Sequence, residues 1–535
     1  MTTILTLNTP PGQLSSRRSA SELTGPGTDS LRPGGRYGRS GAVSTRRLLL
    51  AALAVAAAAR LPALLLGMEH YGDGPVRVEI AERWAQAPHL WRGFSEAYQF
   101  GPLHLTLLGG ALELWPDRLW APRVLSLLCG LAAVWLLFRI SARLVGPQAA
   151  FVAALGLALS PLHIQASTTA ASEAPFLALL LGAIDLLLGG RLVASALLLG
   201  AAGMVRYDGW LYLPLLAGWL LLRRVHLSRV VLFCVVAALP VPLWLWQNAR
   251  FGGDWLAPIH YIDQDHRALA AMALGWFGQL RWRAYCLAYW PLSMLLLCSP
   301  VLGLLSLAGA VRALWRRSAG WELAAVAWIP AAYFTFRGVV LADFRPLSRF
   351  VLVAATLSFP FAWSMLAGLP GRLRIATAVL AGLLLVGTPA GLVLASYGRN
   401  GGLAEWARPL SPISTVPPGI AQASRWLRAN ARPDDSLLLD SAWHYLDIPL
   451  AFASGLPDER IARLRWPDFA DRLARSPPTL AVLLYQGKLR WEPGAEAAGE
   501  ESDAFTVRNL RFCLAQRFIY ATMYRRCDLP SAAAR

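Results

Sequence analysis

The sequence predicts a mainly α-helical, polytopic membrane protein with a small α/β domain at its C-terminal end. Three observations predict it. Apolar runs of about 18 to 22 residues, the length that crosses a bilayer, recur through most of the chain. Arginine clusters fall at alternating ends of those runs. From about residue 397 the chain turns polar and shows short strand-like runs instead.

Composition agrees. Of 535 residues, 56% are hydrophobic, 22 are Trp and only 15% are charged, with a mean hydropathy of +0.44; soluble domains carry more charge. The net charge is +18, and Lys488 is the single Lys among 50 basic residues. The arginines are scattered over span-flanking loops and do not gather on one face, which argues against nucleic acid as a partner. Cys129, Cys234, Cys286 and Cys298 lie in or beside apolar runs and read as small buried hydrophobes. Cys513 and Cys527 lie in the polar tail, free to form a disulfide if that tail is outside the cytoplasm. There is no C-x-x-C and no zinc-type spacing.

Residues 1–45 are rich in Ser, Gly, Pro and Arg and read as a disordered cytoplasmic segment. The first apolar run is too long and too far from residue 1 for a typical cleaved signal peptide, so it is expected to stay as an anchor. A transmembrane domain over 46–396 follows, with about eleven spans: 47–67, 119–138, 147–164, 174–190, 192–205, 209–222, 229–247, 286–309, 321–341, 348–368 and 375–396. The clusters Arg46-Arg47, Arg139 with Arg143, Arg191, Arg223-Arg224 with Arg229, Arg312 with Arg316-Arg317, and Arg372 with Arg374 all fall on one side. The positive-inside rule makes that side cytoplasmic. The loop 68–118, the loop 248–285, the Arg345/Arg349 turn and the 397–535 domain then face outward, from what reads as the cytoplasmic membrane.

In the first external loop, Pro75–Ala85 and Pro102–Leu114 read as helices lying on the membrane surface, too short to span. Their acids Glu79 and Glu82 read as solvated. In the tail, Ser436–Asp440 and Thr479–Tyr485 read as strands, and Ile420–Asn430 and Pro467–Ala474 as helices. No G-x-x-x-x-G-K and no G-x-G-x-x-G after a strand is present, so no soluble nucleotide site is expected.

Chemistry concentrates on the outward side. Asp73, between Gly72 and Gly74, reads either as a general base for an acceptor hydroxyl or as a turn-forming residue. Glu69 and Glu96 are secondary candidates in the same loop. Glu173 reads as a site carboxylate or as a helix-start charge favoured by the dipole. Arg206 could pair with Asp208 or hold a lipid phosphate, and Arg345 and Arg349 could bind an anion or snorkel. Arg60, deep in the first span, could line the same cavity as Asp73. His260, Asp263, Asp265 and His266 invite a divalent metal, or form a solvated loop.

These pieces, in order, resemble the GT-C superfamily of integral-membrane glycosyltransferases, in particular bacterial relatives of the protein O-mannosyltransferases and of the lipid A aminoarabinose transferase. The resemblance rests on Arg60-Leu61, Asp73-Gly-Pro-Val-Arg-Val-Glu79-Ile-Ala, Gln99-Phe-Gly-Pro102-Leu-His104, Ala121-Pro-Arg123, Ser172-Glu173-Ala-Pro, Val205-Arg206-Tyr-Asp208-Gly-Trp210 and Arg345-Pro-Leu-Ser-Arg349-Phe. It departs at Gly74, where many members have a second acid, and at Gln99-Phe-Gly-Pro102, where a Lys is often found.

The resemblance implies an inverting transferase that takes a monosaccharide from a polyprenyl-phosphate donor. Asp73 would be the base and Glu173 a second site acid. Arg60, Arg206, Asp208, Arg345, Arg349, Tyr98 and His104 would bind substrate. A divalent metal on Glu173 and His260 is the cofactor candidate. The partners expected are the donor lipid, membrane lipids and an acceptor (protein, lipid or glycan). A flippase for a lipid-linked saccharide is the alternative; such transporters often show internal repeats, and none is visible here.

Overall fold

The structure, a computed structural model, describes residues 39–68, 70–86, 100–396, 410–441, 446–464, 466, 468–485, 487–489, 495–496 and 502–528. The chain runs from α1 (Arg39–Leu66) into two shorter helices, α2 (Gly74–Gln86) and α3 (Pro102–Leu114). The bundle follows: α4 (Trp120–Leu144), α5 (Pro147–Ala158), α6 (Pro161–Ala166), α7 (Glu173–Leu188), α8 (Leu192–Val205), a 3-10 turn (Tyr207–Leu211), α9 (Tyr212–Leu222), α10 (Leu227–Ala238) and α11 (Pro240–Gly252). It continues through α12 (Ala257–Phe277), α13 (Gln279–Cys298), α14 (Pro300–Arg316), α15 (Trp321–Phe336) with a π-helical turn (Arg337–Leu341), α16 (Ser348–Ala367) and α17 (Gly371–Ser396).

The bundle core is built from α4, α5, α7, α8, α14 and α16. Small residues on their facing sides, such as Ala133, Ala153, Ala154, Ala183 and Ala196, are fully buried and let the backbones approach closely.

Among the described residues six helices are long and apolar enough to cross a membrane: Thr45–Leu66, Trp120–Leu144, Leu227–Arg250, Trp321–Leu341, Ser348–Ala367 and Gly371–Ser396. The membrane-helical class expected from sequence holds, but the eleven expected spans do not all become single long helices. The span drawn over 147–164 breaks into α5 and α6, because Ser160 before Pro161 is extended. The span drawn over 286–309 is corrected to two helices, because Ser299 (φ 81, ψ 135) precedes Pro300 and ends α13. The surface helix drawn at Pro102–Leu114 has those same bounds.

The tail forms a mixed sheet with helices on both faces. Its elements are α18 (Pro418–Asn430), β1 (Leu437–Leu439), α19 (Asp447–Ser454), β2 (Ile461–Arg463), α20 (Phe469–Arg475), β3 (Leu480–Leu484), β4 (Ala495–Glu496), β5 (Ala504–Val507), β6 (Leu510–Arg517) and β7 (Ala521–Arg526). The strand order is β2-β1-β3-β7-β6-β5-β4, with β1 parallel to β2 and β3 and the other pairs antiparallel. The period-2 alternation of strands divides the core. Leu437, Leu439, Leu480, Val482 and Leu484 face Ile420, Ala423 and Leu427 of α18. Leu438, Ala481 and Leu483 face Phe469 and Leu473 of α20. Cys513 on β6 and Cys527 after β7 form a disulfide.

At the end of β1 the Asp440 carboxylate accepts four backbone N–H bonds, from Ser441 (2.7 Å), Leu484 (3.1 Å), Lys488 (2.9 Å) and Leu489 (2.8 Å). Gly487 lies so close that a Cβ there would sit 1.6 Å from Asp440 Oδ2. Gly487→Ala is therefore expected to destabilise the domain by about 1–3 kcal/mol through overpacking. Thermal unfolding of the detergent-solubilised protein measures this, and an unchanged midpoint would contradict the packing described.

The tail docks on the surface helices. Val76 and Ile80 of α2 and Leu105 of α3 pack with Ile448 and Trp466. The opposite face of α2, at Val78 and Ala81, packs on Leu108 and Leu112 of α3. Here a second expectation is corrected: Glu79 is not solvated but buried (4% exposed) and ion-paired with Arg463 of β2. Glu82 pairs with Arg118 at 2.5 Å.

Candidate active site

Asp73 closes the turn between α1 and α2. Gly72 sits at φ 52, in the left-handed region that glycine adopts without a Cβ penalty. The Gly74 N–H donates to Tyr71 O and the Arg77 N–H to Asp73 O, so Asp73 stands at the N-terminal edge of α2. Its Oδ2 accepts from Arg349 Nη1 at 3.1 Å, and Arg77 Nη2 lies 3.9 Å from the same oxygen. Burial pushes the Asp73 carboxyl up, but the Arg349 and Arg77 guanidiniums outweigh it and hold the group below the usual carboxylate range.

A second cluster adjoins the first. Arg206, at the end of α8, donates from Nη1 to Glu173 Oε1 (2.8 Å) and Ser172 Oγ (3.2 Å), and from Nε to Asp208 Oδ1 (3.1 Å). Glu173, the first residue of α7, is 5% exposed. Three guanidiniums (Arg77, Arg206, Arg349) thus face three carboxylates (Asp73, Glu173, Asp208), and the site is charge-balanced.

A narrow cavity opens from these charges into the bundle. Glu173, Arg206, Asp208 and Arg349 are its charged lining residues. Phe176, Trp290, Phe334 and Phe350 are among the residues lining the rest. Arg206 and Arg349 each lie over the Phe350 ring, at 5.7 Å. Guanidiniums set directly against aromatic rings suit an anionic group carried on a larger organic ligand.

The structure brings together Asp73, Glu173, Arg206, Asp208 and Arg349 of the expected residues. His104 adjoins them: it is fully buried on α3, with Nδ1 3.3 Å from Arg77 Nη1. Burial and the charges of Arg77 and Arg206 push it well below its ordinary pKa, so it is neutral. Arg345 is half-buried and does not line the cavity. Tyr98, like Glu69 and Glu96, lies outside the described residues.

Arg60 does not reach the group. Its Nε donates to Ser167 Oγ, its Nη1 to the carbonyls of Ala56 and Ala158, and Nη2 contacts His163 Nδ1, so it clamps α1 to α5 and α6. His260 is also elsewhere: exposed on α12, paired with Asp254 at 2.5 Å, and not a lining residue of the cavity. Glu173 and His260 therefore do not form a metal site. No group of three or more His, Cys, Asp or Glu suited to a metal occurs among the described residues. The site carboxylates are paired with guanidiniums.

One site residue was not singled out in the sequence: Arg77, for which the i,i+4 spacing from Asp73 was the available signal. The solvated-loop alternative for the segment with His260, Asp263, Asp265 and His266 is corrected: the segment is the helix α12. His266 is 6% exposed and stacks on Phe344, with ring centroids 4.4 Å apart. Burial, and then the charge of Asp73, push the Asp265 carboxyl up, so this helix lies within the field of the site.

A family model described as dolichyl-phosphate-mannose-protein mannosyltransferase matches residues 100–246. No curated protein matches the chain. Two solved structures of ArnT from Cupriavidus metallidurans share its fold. The one bound to undecaprenyl phosphate has 15% identity over 92% of this chain and 100% of that chain, with a TM-score of 0.58. The apo form has 15% identity over 90% and 98%, also with a TM-score of 0.58. An oligosaccharyltransferase from Archaeoglobus fulgidus is more distant, with 14% identity over 81% and 67% and a TM-score of 0.49. The family match and the shared fold bear out the resemblance to the GT-C superfamily of membrane glycosyltransferases.

Proposed function

We propose that the protein transfers one monosaccharide from a polyprenyl-phosphate donor to an acceptor hydroxyl at the outer face of the cytoplasmic membrane, with inversion. The observation that carries this reading is the joining of the Asp73–Arg349 and Glu173–Arg206–Asp208 ion pairs to an aromatic-walled cavity. The ArnT structure bound to undecaprenyl phosphate supports a donor of this kind. The Cys513–Cys527 disulfide supports an extracytoplasmic tail, because disulfides persist in oxidising compartments.

The charge balance of the site supports the following order of events. A donor phosphate that engages Arg349 and Arg206 competes with the carboxylates already paired to them. Asp73 then loses its Arg349 partner, keeps only the longer Arg77 contact, and becomes a stronger base. It accepts the proton of the acceptor hydroxyl as that oxygen bonds to the anomeric carbon. The bond from that carbon to the phosphate oxygen breaks on the opposite face, and polyprenyl phosphate leaves with its charge held by the arginines. Glu173 holds Arg206 in position.

The carrier test is mass spectrometry of lipids that co-purify with the protein. An isoprenoid phosphate carrying one hexose or pentose is expected; failure to retain or bind any such lipid would sink the reading. A pH test follows from the depressed Asp73 carboxyl. The base-competent anion is present above the depressed pKa and is lost only as pH falls through it. The acid limb of kcat/KM should therefore lie below the ordinary Asp value of about 3.9. In Arg349→Gln that limb should move to higher pH, and an unmoved limb would show that Asp73 is not the titrating base.

A further inference from the structure

The cavity contains a polar group that the ion pairs and the proposed chemistry leave unused. Trp290, on α13, is 3% exposed, and its indole Nε1–H has no hydrogen-bond acceptor among the described residues. It lines the same cavity as Arg206, Arg349 and Phe350. Its ring is fixed by its neighbours: it stacks on Phe334 (6.3 Å, 14°) and meets Tyr289 edge-on (6.3 Å, 86°). Phe334 in turn packs on Phe350 at 5.4 Å.

Buried indole N–H groups ordinarily find an acceptor. Two others in this chain do: Trp282 Nε1 donates to Gly338 O (3.1 Å) and Trp328 Nε1 to Ser358 Oγ (3.0 Å). Trp219 Nε1 is also unpartnered among the described residues and shares the bundle core with Trp290, but Trp219 does not line the cavity. Trp290 thus combines a fixed, buried, unused donor with a position on the cavity wall.

We infer that Trp290 is a ligand-binding residue whose indole N–H donates to an oxygen of the sugar–phosphate head group that enters the cavity. This rests on the function proposed above. A glycosyl phosphate offers only oxygen acceptors, phosphoryl or hydroxyl, and a donor held rigidly by flanking rings selects by direction as well as by charge. The aromatic faces of Phe334 and Phe350 beside it suit the C–H surface of a sugar ring.

The test uses the full-length protein in lipid nanodiscs, with undecaprenyl phosphate and undecaprenyl mannosyl phosphate as probes. Trp290→Phe keeps an aromatic ring and deletes the N–H; Trp219→Phe is the control for a generic effect of losing a buried indole. Losing one buried hydrogen bond corresponds to about tenfold weaker binding. Weakening of both probes by Trp290→Phe alone assigns the acceptor to the phosphate. Weakening of the mannosyl probe alone assigns it to a sugar oxygen. Unchanged affinity for both probes overturns the inference, as does equal weakening by the Trp219 variant. If the wild type binds neither probe, the function proposed above fails instead. Should Trp290→Phe not fold, 3-benzothienylalanine at position 290 keeps the bicyclic shape without the N–H.

Discussion

Asp73→Asn, in membranes supplied with lipid-linked sugar, is expected to lower transfer by about 10²–10⁴-fold, the range for removing a general base. The amide has almost the shape of the carboxylate, and its carbonyl oxygen still accepts from Arg349 Nη1. The ion pair lost is a quarter exposed on each side, so stability changes little. A large rate effect with an intact fold therefore isolates the proton transfer. The measurement is initial rate at saturating donor, alongside a thermal midpoint. Full activity in this variant would remove Asp73 from the mechanism.

Arg206→Gln is expected to act on both stability and binding. It leaves Glu173, 5% exposed, without the guanidinium that neutralises it, and weakens the hold on Asp208. Breaking a buried pair by removing one partner costs about 3–5 kcal/mol, because the remaining charge stays uncompensated. The double variant Arg206→Gln with Glu173→Gln removes both charges and should recover much of that loss. It should not recover full donor binding, since the phosphate still lacks one of its two guanidiniums. Recovery of both together would show Arg206 to be structural only.

The fold was legible wherever a local pattern decides it. Pro102 at the first turn and Pro116 beyond the last bound the second surface helix, and short apolar runs in a polar tail marked β1 and β3. The break at Ser299-Pro300 was written as a Ser-Pro step inside an apolar run; hydropathy alone bridged it. Of the site, the charged residues were legible because buried charge between apolar runs is rare. The apolar wall was not: Trp290, Phe334 and Phe350 look like any span residues, and only packing puts them on one cavity. Arg60 was misplaced for the converse reason. A charge within a span signals an unusual environment, but not whether its partners are a ligand or, as here, carbonyls of Ala56 and Ala158. Glu79 could not be read from α2, since its partner Arg463 lies 384 residues downstream.

That distant pair bears on how the protein can be taken apart. α2 begins one residue after Asp73 and carries Glu79 on its second turn, where Arg463 of the C-terminal sheet grips it. Residue 463 also reaches Asp458, which Arg472 holds in turn. The tail thus braces the helix that follows the Asp73 turn. A hybrid chain that exchanges this domain for a relative's has to transplant positions 79 and 463 as a matched set, or the helix that follows the Gly72 turn loses its buried charge pairing with the sheet.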